Sequence, residues 1–276
     1  MSLKNQKQNG HYDLVGVIPA AGTASRLGPL PCSKELLPVG FHRQDKKNPS
    51  RPKVVSHYLL RKMRRANVSK IYMILRKGKW DIPAYFGDGK MLDMHIAYLI
   101  MDLPFGVPYT LDQAYPFVKD SIVLFGFPDI PFQPKDAFVQ LLNKQRDTRA
   151  DLVLGLFLAD NPAKMDMVEL DNKGFVRGIQ IKPSKTHLQY TWIIAVWTSA
   201  FTHYMHEYIS SRPEIESQDG SEHKPVQGQE LYVGDVIQAA LKTDIKVESV
   251  FFPKGKYVDI GTPEDLMAAT QVKGNN

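Results

Sequence analysis

The chain has 276 residues, 43% of them apolar, so it is long enough to bury a substantial core in one large domain or two small ones. This composition excludes a disordered protein, a collagen-like repeat and a small scaffold held by disulfides. The net charge of +6 is spread along the chain, which permits nucleic acid as a partner without implying it, and small phosphorylated anions fit equally well. Cys32 is the single cysteine and cannot form an internal disulfide, so we expect a reducing, cytoplasmic location.

In chain order, residues 1–12 are polar and predict a flexible leader. Short apolar runs then predict strands at residues 14–19, 71–75, 122–125, 152–158 and 193–197. Segments at 54–66 and 95–101 have a helical period and separate the first three runs, which gives a βαβαβ order. This alternation favours an α/β fold with a mostly parallel sheet between helices.

The second half of the chain departs from that alternation. A turn signal at residues 171–174 predicts a β-hairpin within 165–180. A polar stretch at 210–229 predicts a mobile loop, followed by a helix at 233–242 and a strand at 247–252. No run approaches the roughly 18 apolar residues of a membrane span, so we expect no membrane partner.

A turn of small residues follows the first predicted strand, from Pro19 to Leu27, and Lys34 comes eight residues after Arg26. Such a turn lets backbone N–H groups approach a phosphate closely, and Arg26 and Lys34 would supply fixed positive charge. A plain strand-to-helix turn needs the same small residues, so this fragment alone leaves both interpretations open.

The stretch from Val17 to Val39 resembles the signature of the sugar-phosphate nucleotidyltransferases, the family of glucose-1-phosphate thymidylyltransferases and UTP-glucose-1-phosphate uridylyltransferases. That signature is a Gly-x-Gly-x-Arg turn followed by Lys-x-x-x-Pro, and the matching residues here are Gly22, Arg26, Leu27, Lys34 and Pro38. The resemblance implies a Rossmann-like, mostly parallel mixed sheet flanked by helices, the nucleotide-diphospho-sugar transferase fold, with a small β-hairpin subregion that binds sugar. It also implies a single domain over residues 13–270, with a tail at 271–276.

Four later segments resemble the same family in the same order. Gly106 lies in a segment that resembles one of the family, in which the glycine backbone packs against the nucleotide base. Asp129 ends a buried strand as the first metal-binding aspartate of the family does. Lys182, before Pro183, resembles the lysine that holds the sugar phosphate. Asp259, in Tyr257–Leu266, resembles the second metal ligand.

Each of these residues also has an ordinary structural interpretation. Asp129 could be a turn residue or a helix cap, and Lys182 a solvated lysine. Thr262 as N-cap and Pro263 at the first helical position would simply start the last helix, although this leaves Asp259 unexplained. The ordered set of five motifs favours the functional interpretation.

The resemblance implies transfer of a nucleoside monophosphate from a nucleoside triphosphate, dTTP or UTP, to a sugar 1-phosphate, with release of pyrophosphate. Arg26 and Lys34 would hold the triphosphate beside the backbone of Ala21 and Gly22. Mg²⁺ would be held by Asp129 and Asp259. A homo-oligomer is compatible with the family, and no nucleic acid is expected.

Four positions depart from the family pattern. Ala24 replaces the second glycine of the turn, Met101 a glutamine that reads a pyrimidine, Asp166 a glycine before the hairpin, and Ile181 the glutamate before Lys-Pro that binds sugar hydroxyls. The alternative is therefore a non-catalytic relative that binds nucleotides or sugar nucleotides. A nicotinamide-dependent dehydrogenase is a third alternative, but the chain lacks Gly-x-Gly-x-x-Gly after the first strand.

The remaining candidates favour structural roles. Cys32 has no base partner in the sequence and is interpreted as a small loop residue, while His203 and His206 lack a third metal ligand and predict a surface helix. The basic run Arg61–Arg65 predicts one solvated face of a helix. A cluster of Lys46, Lys47 and Arg51–Lys53 leaves two interpretations open, contact with substrate anions or no contact with a ligand.

Overall fold

The apolar runs of the sequence form a mixed sheet in the computed structural model, which describes residues 13–41, 52–102, 105–212 and 230–271. The strands are β1 (Leu14–Ala20), β2 (Pro38–Phe41), β3 (Pro52–Val54), β4 (Lys70–Arg76), β5 (His95–Met101), β6 (Ile122–Gly126), β7 (Phe132–Gln133), β8 (Leu152–Leu158), β9 (Met167–Leu170), β10 (Val176–Gln180), β11 (Tyr190–Trp197), β12 (Val247–Phe252) and β13 (Lys256–Tyr257). The helices are α1 (Ser56–Arg65), α2 (Asp81–Phe86), α3 (Val107–Asp112), α4 (Tyr115–Val118), α5 (Ala137–Thr148), α6 (Ser199–Ser210), α7 (Val233–Ala240) and α8 (Pro263–Gln271).

The main sheet has the order β5-β4-β1-β6-β11-β8-β12. β5, β4, β1 and β6 are parallel, β11 runs antiparallel to both β6 and β8, and β12 pairs parallel with β8. The β9–β10 hairpin pairs with the first residues of β11, just beyond the point where β6 ends. The hairpin therefore lies at the carboxyl end of β6, on the edge of the sheet where open α/β folds bind ligands.

The core lies on both faces of this sheet because its central strands are buried runs of apolar side chains. On one face α1 and α5 contribute Leu59, Met63, Phe138 and Leu141, and on the other α3, α6 and α7 contribute Leu111, Phe201 and Val236. A third, smaller cluster joins β2 and α8 through Leu37, Val39, Val55, Ile260 and Ala269. Full burial of one such aliphatic side chain is worth about 1.5–3 kcal/mol. This third cluster therefore fixes the chain around Lys34 against the chain around Asp259.

The predicted α/β class, mixed sheet and hairpin are confirmed, as are the helix after residue 54, the helix after 233 and the strand at 247–252. The helix predicted at 95–101 is wrong, because His95–Met101 forms the edge strand β5, parallel to β4. A seven-residue apolar run has no reliable helical period, and pairing with β4 decides its conformation.

The predicted leader at 1–12 lies outside the described residues, as do most of the predicted loop and most of the tail. The single domain over 13–270 stays a prediction. Among the described residues, no helix is both long enough and apolar enough to cross a membrane.

Candidate active site

The turn after β1 carries the first group of predicted site residues. β1 lies between β4 and β6, so its carboxyl end opens at the middle of the parallel part of the sheet. Ala21 is buried, whereas Gly22 is exposed and has open space where a side chain would begin. Ala24 adopts the left-handed conformation with φ 56°, which glycine adopts without strain and alanine does not. The turn then leads into a short 3₁₀ helix, Ser25–Leu27, that presents Arg26 to solvent.

The loop that carries Lys34 is anchored on the segment following β4. Asp81 accepts hydrogen bonds from the backbone N–H and the hydroxyl of Ser33, at 2.6 and 2.7 Å. Glu35 is 1% exposed and pairs with the buried Lys79, whose Nζ lies 2.8 and 2.9 Å from the two carboxylate oxygens. The residues on both sides of Lys34 are therefore fixed, and Lys34 points toward Asp129.

The carboxylates Asp129 and Asp259 are brought together by backbone pairing. β7 and β13 pair antiparallel, and the ladder continues as the N–H of Val258 donates to the carbonyl of Pro131 and that of Ile260 to the carbonyl of Asp129. Residues 130 positions apart in sequence thereby lie side by side at the carboxyl end of β6.

Two cations meet these carboxylates. Lys34 Nζ lies 2.6 Å from Asp129 Oδ2. A Cβ built on Gly261 would lie 3.4 Å from Asp259 Oδ1 and 3.5 Å from Arg26 Nη2, so Arg26 and Asp259 face the same small space. The structure thus brings Arg26, Lys34, Asp129 and Asp259 together.

The electrostatics of this group are those of a crowded anionic pair with cationic neighbours. Burial and the charge of Asp129 raise the pKa of Asp259, while Lys34 and Arg26 oppose that shift. Burial by itself lowers the pKa of Lys34, but Asp129, Glu35 and Asp259 together raise it above its ordinary value. Two carboxylates whose charges repel each other in this way favour a cation between them.

The donor set fits Mg²⁺, which binds proteins through one or two carboxylates and completes its shell with water and substrate phosphates. Within the described part of the chain, no group of three or more His, Cys, Asp or Glu side chains is placed to hold a metal ion. A metal ion held by two carboxylates would keep coordination positions free for a substrate.

Gly106 and Lys182 form a second group, joined by residues 231–232. Gly106 has φ 123° and bridges to Leu231, whose carbonyl oxygen would lie only 2.1 Å from a Cβ at this position. The Gly106 backbone therefore already needs glycine for its contact with Leu231. Lys182 Nζ lies 3.9 Å from the centroid of the Tyr232 ring. Lys182 is exposed and has φ 39°, an uncommon backbone conformation for a residue with a side chain.

The predicted start of the last helix is confirmed. Thr262 Oγ1 accepts a hydrogen bond of 3.3 Å from the N–H of Asp265, and Pro263 is the first residue of α8. This capping places Asp259 just before the helix and leaves its side chain to face Asp129 and Arg26.

Other candidates have structural partners. Burial together with Asp81 and Glu35 raises the pKa of the Cys32 thiol, which disfavours a thiolate nucleophile. The ring nitrogens Nδ1 of His203 and His206 each form a 2.9 Å hydrogen bond, with Tyr115 and Asp112 respectively, and so tie α6 to α4 and α3.

The basic run on α1 does not lie wholly on a solvated face, so that prediction is partly wrong. Lys62 is 6% exposed, and with Lys53, Arg61, Arg65 and Lys135 it lines a cavity of about 760 Å³. Burial and the neighbouring Lys53 and Lys135 lower the pKa of Lys62 to about 7. Lys46, Lys47 and Arg51 lie outside the described residues.

Lys79, Asp81 and Tyr232 were missed by sequence reasoning. Lys79 and Asp81 follow β4, which is parallel to β1, so their loop opens at the same edge of the sheet as the small-residue turn. That shared edge was the available signal. No sequence signal pointed to Tyr232, because its contact with Lys182 depends on the approach of Leu231 to Gly106.

The sequence matches the nucleotidyl transferase family over residues 15–275, and the chain belongs to that family. Among solved structures it is similar to a Bacillus anthracis protein provisionally named a glucose-1-phosphate thymidylyltransferase, crystallised in complex with sucrose. The two share 22% identity and a TM-score of 0.75, over 95% of this chain and 96% of the other. Comparison with curated protein sequences gives no significant match.

Proposed function

We propose that this protein transfers a nucleoside monophosphate from dTTP or UTP to a sugar 1-phosphate and releases pyrophosphate. The observation that carries the proposal is the convergence of Arg26, Lys34, Asp129 and Asp259, two cations and two carboxylates, at the carboxyl ends of the central strands. Membership of the nucleotidyl transferase family supports the reaction class.

The chemistry required is mostly electrostatic. The phosphate oxygen of a sugar 1-phosphate is already anionic at neutral pH, so its attack on the α-phosphorus needs no general base and no covalent intermediate. The protein must hold two polyanions within reaction distance and stabilise the charge that develops.

The residues of the site divide this work. Arg26 and the backbone of Ala21 and Gly22 bind the triphosphate, and Lys34 exchanges its bond with Asp129 for a phosphate oxygen. Lys182 binds the phosphate of the sugar. Asp129 and Asp259 would hold Mg²⁺, which when bound supplies positive charge that neutralises and orients the α-phosphate.

The test is a panel of nucleoside triphosphates against several sugar 1-phosphates with Mg²⁺, scored by pyrophosphate release. We expect turnover with at least one pair and its loss in Asp129→Ala and Asp259→Ala. The matched control is Asp136→Ala, an exposed aspartate at the start of α5, which should turn over like the wild type. Unchanged pyrophosphate release by either site variant would reject the assignment.

A second readout does not depend on turnover. Mg²⁺ together with the triphosphate should raise the melting temperature of the wild type but not that of Asp259→Ala, because only the folded site binds them. Nucleotide binding without pyrophosphate release across the whole panel would instead assign the non-catalytic alternative.

A further inference from the structure

Asp166 lies where the sugar end of the proposed site would be. It directly precedes β9, and its carbonyl accepts a 2.9 Å hydrogen bond from the hydroxyl of Thr191 on β11. Because β9 pairs with β11 beyond the end of β6, this end of the hairpin faces the strand that leads to Asp129. Lys182 follows β10 at the same end of the hairpin.

The Asp166 carboxylate is held in place and is close to Lys182. It lies against the backbone of Gly234, and the charge of Lys182 favours its ionised form. A Cβ built on Gly234 would lie 2.6 Å from Asp166 Oδ2 and 2.4 Å from Ile181 Cδ1. The carboxylate of residue 166 and the apolar end of residue 181 therefore meet at one point beside Lys182.

This placement is costly unless the carboxylate has donors to bind. Burial, and to a smaller extent the charge of Asp235, raise the pKa of Asp166 to about 6. Lys182 and Gly234 only partly offset this shift. A carboxylate beside a phosphate-binding lysine also repels phosphate. An ionised carboxylate has about four lone-pair positions, so the backbone N–H of Gly234 can use only a small part of its acceptor capacity. Sugar hydroxyls are donors that would use it.

We propose that Asp166 is the specificity-determining residue for the sugar, its carboxylate accepting hydrogen bonds from the hydroxyls of a neutral hexose 1-phosphate whose phosphate lies on Lys182. This inference rests on the function proposed above. Ile181 has no polar group to read the sugar, and Asp166 supplies a carboxylate at the point where Ile181 ends. The Tyr232 ring contacts the Lys182 ammonium beside the same space.

The experiment compares the wild type with Asp166→Asn by titration calorimetry, using glucose, galactose and mannose 1-phosphates and inorganic phosphate as probes. Asparagine has nearly the same shape as aspartate, so the packing against Gly234 at the start of α7 is preserved. We expect Asp166→Asn to weaken hexose 1-phosphate binding at least about tenfold, since a hydrogen bond to a charged group is lost. Inorganic phosphate should bind as well or better, because a repelling charge is removed.

Two further variants sharpen the result. Glu169→Gln changes an exposed carboxylate on the same strand and should bind like the wild type. The exchange variant Asp166→Gly with Ile181→Glu moves the carboxylate from position 166 to position 181. It should recover the hexose 1-phosphate binding that Asp166→Gly alone loses.

The outcomes separate this inference from the proposed function. Pyrophosphate release is measured in parallel, and selective loss of hexose 1-phosphate binding without any turnover supports the role of Asp166 while rejecting catalysis. Equal or tighter hexose 1-phosphate binding by Asp166→Asn would overturn the inference and leave Asp166 as a carboxylate packed against the start of α7. Failure of the wild type to bind any of the three hexose 1-phosphates would overturn it as well.

Discussion

The buried pair of Glu35 and Lys79 gives a quantitative test of how the Lys34 loop is held. At 2.8 Å and an effective dielectric constant of about 20, two unit charges attract by about 6 kcal/mol. Removing both charges from water costs several kcal/mol each, and burial accordingly raises the pKa of Glu35 and lowers that of Lys79. The two terms nearly cancel, so the intact pair adds little net stability, but either partner alone is a buried charge that has lost its hydrogen-bonded counter-ion.

We therefore predict that Glu35→Met and Lys79→Met each lower the free energy of unfolding by about 3–5 kcal/mol. The double variant, which buries two apolar side chains of similar size, should lie within about 1–2 kcal/mol of the wild type. For a chain of this size, the single variants should melt roughly 6–20 °C lower.

The assay is urea unfolding of the four proteins, analysed as a double-mutant cycle. Arg64→Met is the control, because the Arg64–Asp93 pair is exposed and worth at most about 1 kcal/mol. A double variant as unstable as the sum of the singles would refute the reasoning. Pyrophosphate release, measured where every variant is folded, should fall in both single variants if this pair positions Lys34.

Three further predictions concern single residues. Ala24→Gly should raise the free energy of unfolding, measured by urea unfolding, by about 1 kcal/mol, because glycine adopts φ 56° without strain. An unchanged free energy of unfolding would contradict a strained turn. Lys62 loses its proton near pH 7 in the folded protein but near 10.5 when unfolded, so its cost to stability grows as pH falls through that window. Lys62→Met should therefore be more stable by roughly 2–4 kcal/mol at pH 7, with the gap closing by pH 10.5, and a gap independent of pH would argue against a titrating lysine. Asp166 faces Lys182 and Asp235 and titrates near pH 6, so the affinity of the wild type for hexose 1-phosphate should rise as pH increases through 6 and the carboxylate ionises. Asp166→Asn should lack this rise. The phosphate group of the ligand also titrates near pH 6, but its effect is common to both proteins and cancels in the comparison. Identical pH profiles for the two proteins would count against that role.

The parts of the fold that local chemistry determines were predictable. The hairpin turn at 171–174 was marked by Asp171 and Gly174, and in the structure Asp171 accepts two backbone N–H bonds while Gly174 has φ 84°. The cap at Thr262 followed from the same kind of local rule. The edge strand β5 did not, because its seven residues carry no pattern that separates a helix from a strand until β4 pairs with them.

The candidate site divides in the same way. The ordered motifs identified Lys34, Asp129 and Asp259, and the structure brings them together, although their roles stay predictions. Lys79 supports the loop of Lys34 through its ion pair with Glu35. These two residues are 44 positions apart in sequence, so no local pattern encodes their contact. The meeting of Asp166 with Ile181 over Gly234 likewise depends on how α7 packs against the hairpin.

The backbone ladder between β7 and β13 also sets when the site can exist during synthesis. Asp129 and Asp259 are 130 residues apart, and ribosomes add about 5–20 residues per second, so the second carboxylate is made roughly 7–26 s after the first. Throughout that interval Asp129 and Lys34 have no Asp259 beside them. Any truncated chain that ends between residues 129 and 259 lacks one of the two carboxylates. Completion of the site is therefore a late event that reports on synthesis of nearly the whole described chain.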